Sequence, residues 1–172
     1  MTADISRQSL RPAQKFTGVV RQQGRLPLDS DENEASDIAR FALRDAVAEV
    51  ICEAGSPDDG YRISAPVVTN GALDFAIAAG SFYLAGLRCA TEAETYQAQP
   101  DWLTFPLDSP GPSIPTGTTT RTDLVWLDAW EQVVTATEDA ELFERALGGA
   151  DTTARQRAMA RVRVLELSLI HI

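Results

Sequence analysis

The sequence of 172 residues contains almost no histidine or cysteine, and each shortage excludes a class of chemistry. Its only histidine is His171, and Cys52 and Cys89 are its only cysteines. Without a histidine in the body of the chain, a histidine base or metal ligand is missing, and no serine or cysteine has a histidine partner. Two cysteines cannot form a disulfide framework, so we expect both thiols to be reduced, in apolar surroundings and in a cytosol.

Long apolar runs and an excess of basic residues are also missing. No apolar run approaches the roughly 20 residues of a membrane-spanning helix, and the N-terminus, MTADISRQSL, has no apolar signal core. We therefore expect cytoplasmic synthesis without a signal peptide, and no membrane partner. Fifteen basic against 25 acidic residues give a net charge of −10, which argues against a nucleic-acid partner because such proteins carry a basic face.

The longest strand-like run is residues 122–137, TDLVWLDAWEQVVTAT, which holds Trp126 and Trp130. Side chains two apart on a strand share a face, and both faces of this run are largely apolar. Such a strand needs cover on both sides or a partner sheet, with a β-bulge plausible at Asp128. Its Val, Trp and Thr content favours strand over a helical interpretation of residues 128–134.

Residues 31–54 show the clearest helical pattern, with Ile38, Ala42, Ala46 and Val50 in one row. Asn70-Gly71 is a hairpin turn signal, and residues 73–77 and 82–85 read as strands. The predicted fold class is therefore α+β, with one long amphipathic helix packed on a mostly antiparallel β-sheet that contains residues 73–77, 82–85 and 124–134.

The remaining segments give weaker predictions. Residues 16–21 alternate as a short strand would, residues 140–147 suggest a short helix broken by Gly148-Gly149, and residues 161–167 suggest a strand, with helix over 153–163 as the alternative. The predicted buried residues share apolar character at helical or alternating spacing: Ile38, Ala42, Val47, Val50, Phe75, Ile77, Trp126 and Val162.

The length fits one domain, residues 1–166, with a Pro/Gly-rich loop at residues 104–120. The last six residues, LSLIHI, are the translation of CTGTCTCTTATACACATC, a transposase adapter sequence used in preparing sequencing libraries. We therefore expect residues 167–172 to be adapter-derived and the natural protein to continue past Glu166. A strand cut there leaves an open edge that favours self-association.

Three motifs resemble known functional sites, but each lacks a feature that the site requires. Asp29, Asp31 and Asn33 resemble the start of a calcium loop, but Glu34 replaces its glycine and Arg40 its bidentate glutamate. Gly148-Gly149 lacks the lysine-bearing spacing of a phosphate loop. Asp128 and Glu131, beside the tryptophans, resemble a glycosidase pair but should point to opposite faces of a strand. The sequence therefore predicts no catalytic, cofactor-binding or metal-binding residue.

Three segments resemble a bacterial family of uncharacterised domains encoded beside phage-tail-like contractile injection systems and prophage baseplate genes. They are residues 16–33, FTGVVRQQGRLPLDSDEN, residues 77–89, IAAGSFYLAGLRC, and residues 124–155, LVWLDAWEQVVTATEDAELFERALGGADTTAR. They occur in the family's order, and the third is the most specific. The chain departs from the family pattern at Glu32, Gln132 and Ala150, where tryptophan, arginine and proline are usual.

The resemblance implies the N-terminal segment of a structural or assembly component of a phage-tail-like particle, without catalytic residues to carry over. The expected partners are other proteins of that particle, with self-association also expected, and the expected location is in the particle after synthesis in the cytoplasm. The alternative is the N-terminal module of a carbohydrate-binding or polysaccharide-degrading enzyme.

Overall fold

The computed structural model describes residues 3–51, 53–100, 112–114 and 121–166. Cys52, the tail 167–172 and most of segment 104–120 lie outside these residues, so the predictions made for them stay predictions. The chain divides into two compact units. The first contains the described parts of Met1–Ala54, Ala85–Leu87 and Glu131–Arg157, and the second those of Gly55–Leu84, Arg88–Trp130 and Ala158–Ile172.

The first unit is organised around one helix, α1, Asp29–Ile51. Asp29, Asp31 and Glu32 lie in its first turn, where carboxylates interact favourably with the free N–H groups of a helix start. The helix predicted over residues 31–54 is confirmed, although it begins and ends slightly earlier. Among the described residues, no helix is long and apolar enough to cross a membrane.

The predicted apolar face of α1 is largely open to solvent. The helix buries Ser30 and Ile38, and the predicted burial of Ile38 is confirmed. The predictions for Ala42 and Val50 are wrong, because Ala42 is exposed and Val50 is 84% exposed; Val47 is half-buried. Residues spaced by three or four share a helix face, and the exposed ones on this face are here called the α1 stripe: Ala39, Ala42, Leu43, Ala46 and Val50.

The packed side of α1 carries Arg44, with the half-buried Val47 and Ala48 close to it on the same side. A Cβ atom added to Gly86 would lie 2.2 Å from the carbonyl oxygen of Arg44, so the turn at Gly86 lies directly against the helix backbone. Glu131 pairs with the Arg44 guanidinium at 2.5 Å. At about 100° per residue, Arg44 lies on the opposite side of the helix from the α1 stripe. The stripe is exposed because the helix is held by its other side.

Four small sheets account for the strands among the described residues. The strand bounds are β1 Ala54–Gly55, β2 Val67–Thr69, β3 Ala72–Asp74, β4 Ala76–Ile77, β5 Gly80–Leu84, β6 Leu87–Thr91, β7 Glu94–Thr95, β8 Asp123–Val134 and β9 Arg155–Glu166. The first sheet has the order β1–β5–β6, and the others pair β2 with β3, β4 with β7, and β8 with β9. The β-rich α+β class is confirmed, but the single large sheet is not: the segments predicted to share it lie in different small sheets.

Two tight turns connect the short hairpins. Asn70 and Gly71 have φ values of 51° and 78° between β2 and β3, as a two-residue type I′ turn requires. The hairpin predicted at Asn70-Gly71 is therefore confirmed. Ala85 and Gly86, with φ values of 47° and 73°, form the equivalent turn between β5 and β6, and alanine is unusual at a positive φ.

The two longest strands, β8 and β9, each have 12 residues. Arg121, just before β8, pairs with Glu166 at the end of β9, and Asp128 in β8 pairs with Arg163; these contacts show that the strands run antiparallel. The strands predicted over 124–134 and 161–167 are confirmed for the described residues. Helical interpretations of 128–134 and 153–163 are wrong.

The segment between β8 and β9 contains two short 3₁₀ turns in place of the helix expected over residues 140–147. They span Ala140–Leu142 and Arg145–Leu147. Asp139 and Glu144 interrupt the helix because each accepts a hydrogen bond from a backbone N–H two residues later, at 3.0 Å. Gly148 and Gly149 then turn the chain with φ values of 76° and 87°.

The second unit contains a compact apolar core. Phe75 stacks on Tyr96 with ring centroids 4.9 Å apart, and Ile77 and Val162 complete the buried cluster. The predicted burial of Phe75, Ile77 and Val162 is thus confirmed. The half-buried side chains that pack against this cluster are Tyr61, Val125, Leu127 and Val164.

Trp126 does not belong to this core. Val125 and Leu127 face the core, and neighbouring residues of a strand point to opposite faces. Trp126 is therefore on the outer face of β8, 37% exposed, together with Leu124, which is 50% exposed. The predicted burial of Trp126 is therefore wrong.

A side-chain amide joins two parts of the second unit. Gln99 donates from Nε2 to the carbonyl oxygen of Val162 at 3.0 Å and accepts from the Val162 N–H at 2.7 Å. This amide satisfies both backbone groups of one β9 residue, as a neighbouring strand would. Asp74 accepts hydrogen bonds from the N–H groups of Phe75 and Gln97, which hold the segment after β7 beside β3.

The second unit also contains a close crossing of two backbone segments. A Cβ atom on Gly60 would lie 2.4 Å from the backbone nitrogen of Ser81 and 2.6 Å from the carbonyl carbon of Gly80. The Asp58 carboxylate accepts hydrogen bonds from the N–H groups of Gly60 and Ser81 at this crossing. The N–H of Ser81 is the main cause that lowers the pKa of Asp58, followed in the same direction by Gly60 and the Ser56 hydroxyl.

We predict that Ile77→Ala destabilises the protein by about 2–5 kcal/mol, because Ile77 is 1% exposed in the core. Trp126→Ala should cost clearly less, because the ring already lies partly in solvent. Urea unfolding of both variants measures the two values. A larger loss for Trp126→Ala would contradict its placement outside the core.

Gly60→Ala should destabilise the protein by roughly 1–3 kcal/mol, because the new methyl group meets backbone atoms that cannot rotate away. Gly18→Ala is the matched control: no atom lies within 4 Å of the added Cβ, and the change should stay within about 0.5 kcal/mol. Equal effects of the two substitutions in thermal unfolding would show that the two segments do not cross closely.

We predict that Asp58 contributes to the loss of stability in acid. Its pKa is lowered in the folded protein, so its contribution is present above the pKa of the unfolded state, about 3.9, and is lost as the pH falls through the folded pKa. Asp58→Asn should therefore show a shallower fall in unfolding free energy below pH 4 than the parent chain. Parallel pH profiles would contradict the assignment.

Candidate functional site

The carboxylates that the sequence suggested as a glycosidase pair lie in separate ion pairs. Asp128 pairs with Arg163 at 3.3 Å, and Glu131 pairs with Arg44 at 2.5 Å and with Arg40 at 3.9 Å. They lie at odd spacing along β8, so their side chains point to opposite faces. A glycosidase needs two carboxylates that flank one bond, and this geometry does not bring them together.

The calcium-loop residues lie in α1. A calcium loop directs alternate side chains and a backbone carbonyl at one ion, whereas successive side chains point outward around a helix. Asp37 is paired with Arg40 at 2.5 Å, and a hydrogen bond from Ser6 is the main cause that lowers the pKa of Asp29. Among the described residues, no group of three or more His, Cys, Asp or Glu side chains could hold a metal ion.

The Gly148-Gly149 turn is closed by backbone hydrogen bonds within its own loop. The N–H of Gly149 donates to the carbonyl oxygen of Glu144 at 2.9 Å, and the N–H of Gly148 donates to that of Arg145 at 3.2 Å. A phosphate loop needs free N–H groups that converge on an anion. These two are already engaged, so the turn has the structural role expected of glycines at positive φ.

A polar cluster lies at one end of the β8–β9 pair in the second unit, where β8 begins and β9 ends. The Arg121 guanidinium donates to Asp123 Oδ2 at 2.8 Å, to Glu166 Oε2 at 3.2 Å and to the carbonyl oxygen of Ser113 at 2.8 Å. Ser113 in turn donates to the Glu166 carboxylate from its N–H and its hydroxyl. Hydrogen bonds from Ser113 are the main cause that lowers the pKa of Glu166. The cluster ties residues 112–114 to the strands.

A half-buried group of titratable side chains lies next to the apolar core. Burial, with a smaller effect of Cys89 and Glu94, raises the pKa of Tyr61 to about 12. Burial also raises the pKa of the Cys89 thiol and of the Glu94 carboxyl, the latter against a hydrogen bond from the Thr91 hydroxyl. A thiol with a raised pKa is a poor nucleophile. Cys89 is free and 2% exposed, in agreement with the expected reduced thiol in apolar surroundings, whereas its titratable neighbours were not predicted.

The most unusual surface in the first unit is apolar. Every residue from 11 to 28 is exposed, and this segment is here called the N-terminal arm. Its large apolar side chains include Phe16 at 56%, Val20 at 88%, Leu26 at 87% and Leu28 at 52% exposure. The strand suggested for residues 16–21 is not formed. An accumulation of exposed apolar side chains marks an interaction surface.

A groove of about 500 Å³ separates the arm from the first turns of α1. Val19, Val20, Leu26 and Leu28 contribute its apolar lining, and Arg21 closes one side with an ion pair to Glu32. Together with the α1 stripe, the arm and groove form the candidate functional site of the first unit. The sequence indicated the stripe through its periodicity but assigned it to the core.

Comparison with known proteins places the chain in a family. The model of a family of unknown function, DUF6519, matches residues 1–170, so the chain belongs to that family. No curated protein and no solved structure matches it.

Proposed function

We propose that this member of the DUF6519 family is a structural or assembly component of a phage-tail-like particle, a contractile injection system or prophage, and that this segment binds other particle proteins without catalysing a reaction. The observation that carries the proposal is the exposed apolar surface of the first unit, formed by the N-terminal arm and the α1 stripe. Exposed apolar side chains on a folded unit favour association with protein because contact removes them from water.

The resemblance to domains encoded beside injection-system and baseplate genes supports the proposal that the protein belongs to a phage-tail-like particle. Its three segments correspond to distinct surfaces and elements of the structure. Residues 16–33 include most of the arm and the start of α1, residues 77–89 include β5 and most of β6, and residues 124–155 include all but the first residue of β8 and the 3₁₀ turns that follow it. The first of these segments thus overlaps the part of the exposed apolar surface that the arm forms.

The ion pairs also favour a structural role. Arg40, Arg44, Arg121 and Arg163 each pair with carboxylates of α1, β8 or β9. Partly buried pairs of this kind stabilise one arrangement of the elements that carry them. Carboxylates engaged in this way are poorly placed for acid–base work on a substrate.

The test is affinity purification of the tagged full-length protein from cells that express the neighbouring genes. The proposal predicts co-purification of tail, tube or baseplate proteins, and loss of these proteins when Val20 and Leu26 are both replaced by Asp. The matched control replaces Val67 and Val68 by Asp, which makes the same change of charge at exposed apolar side chains outside the arm.

Recovery of no particle protein, together with turnover of a polysaccharide by the purified protein, would overturn the proposal in favour of the enzyme alternative. Recovery of the same particle proteins with both variants would show that the arm does not carry the contact. The first result tests whether the protein belongs to a phage-tail-like particle, and the second tests whether the arm makes the contact.

A further inference from the structure

The N-terminal arm combines apolar exposure with a single sign of charge. It contains Arg11, Lys15, Arg21 and Arg25 and no acidic residue, a formal net charge of +4 in a chain whose net charge is −10. Among the described residues, no backbone hydrogen bond joins residues 16–21 to another segment. The arm is thus basic and apolar, its residues are exposed, and the backbone of residues 16–21 is open to a further contact.

The α1 stripe has the complementary properties. Leu43 and Val50, 65% and 84% exposed, lie among small alanines that allow a close approach. Asp45 and Glu49 flank the stripe at helical spacing, whereas Arg40 and Arg44 are engaged in ion pairs with Asp37 and Glu131. The stripe therefore fits a partner that is apolar and basic.

The arm of the same copy already lies elsewhere on the helix. Its Arg21 pairs with Glu32, and the groove beneath it is lined by Asp31, Glu32 and Ala35. Leu43 is 11 residues beyond Glu32, about 16 Å along the helix axis. The stripe is thus left exposed by its own arm.

Contact between two stripes is disfavoured by charge. It would place Asp45 and Glu49 of one copy beside the same acidic residues of the other, and like charges in an interface oppose binding. Contact between an arm and a stripe instead pairs opposite charges and covers apolar side chains on both surfaces. Both surfaces occur on every copy of the chain, so one type of contact covers them all.

We propose that the N-terminal arm of one copy docks on the α1 stripe of a second copy. Val20 and Leu26 cover Leu43 and Val50, while Arg21 and Arg25 lie near the acidic flank of the stripe. This interface is heterologous, so an open assembly keeps one free arm and one free stripe at its ends, and it either closes as a ring or grows as a filament. The inference does not rest on the proposed particle, because it concerns contact between copies of the purified chain.

The test is a charge exchange followed by analytical ultracentrifugation. Variant one carries Arg21→Glu and Arg25→Glu, and variant two carries Asp45→Arg and Glu49→Arg. In each variant alone, positions 21 and 25 of the arm carry the same sign of charge as positions 45 and 49 beside the stripe, so self-association should weaken by roughly tenfold or more. All four positions are exposed, and circular dichroism checks that α1 is retained.

An equimolar mixture of the two variants should associate again, because each arm then meets a stripe of opposite charge on the other variant. The control carries Arg62→Glu and Arg145→Glu, the same change of charge at exposed positions outside the arm, and should associate as the parent chain does. Added salt should weaken the parent association. A parent chain that is monomeric at every concentration, an association that survives either reversal, or a mixture that stays dissociated would each overturn the proposal.

Discussion

The stacking of Phe75 on Tyr96 is the contact on which the best-packed part of this protein depends. Together with Ile77 and Val162 it forms the buried apolar cluster of the second unit, and the largest fully buried side chains, Tyr96, Ile77 and Cys89, all belong to that unit. The Gln99 amide and the Asp74 carboxylate satisfy backbone groups around the cluster. A few well-paired polar side chains thus allow several two-residue and three-residue strands to share one core.

The first unit is built differently. Its long helix is held on the Arg44 side by a glycine turn and an ion pair, while the α1 stripe stays in water. A helix gains most of its stability from burial of its apolar face, so an exposed face leaves a driving force for association unused. This asymmetry between the two sides of α1 links the fold to the proposed role in assembly.

The sequence predicted those elements whose signals are local. The two-residue spacing of β8, the Asn70-Gly71 turn and the helical period of α1 each depend on residues close in the chain, and all three are confirmed. The burial of Phe75, Ile77 and Val162 was predicted for the same reason. The sequence alone could not show which side of α1 is packed, because that depends on the approach of Gly86 to Arg44 across more than 40 residues of chain.

The errors have the same physical origin. The sequence predicted that Trp126 is buried because it is large and apolar. Val125 and Leu127 pack against the cluster of the second unit, so Trp126 between them points to the other face of β8. The single sheet predicted from the sequence is not formed, because Asp74 and the turn residues divide one apolar stretch into separate short strands. For the candidate site, the sequence indicated the helical period of the α1 stripe, but only the structure showed that the stripe and the N-terminal arm are exposed.

Hydrogen–deuterium exchange of the purified chain at low and high protein concentration tests the central claim most directly. Slow exchange around Phe75, Ile77 and Tyr96 should not depend on concentration, because those amides are protected by the core of one copy. Amides of the N-terminal arm and of α1 around Leu43 and Val50 should exchange more slowly at high concentration, because association covers them. Exchange in the arm and in α1 that is the same at both concentrations would contradict the account.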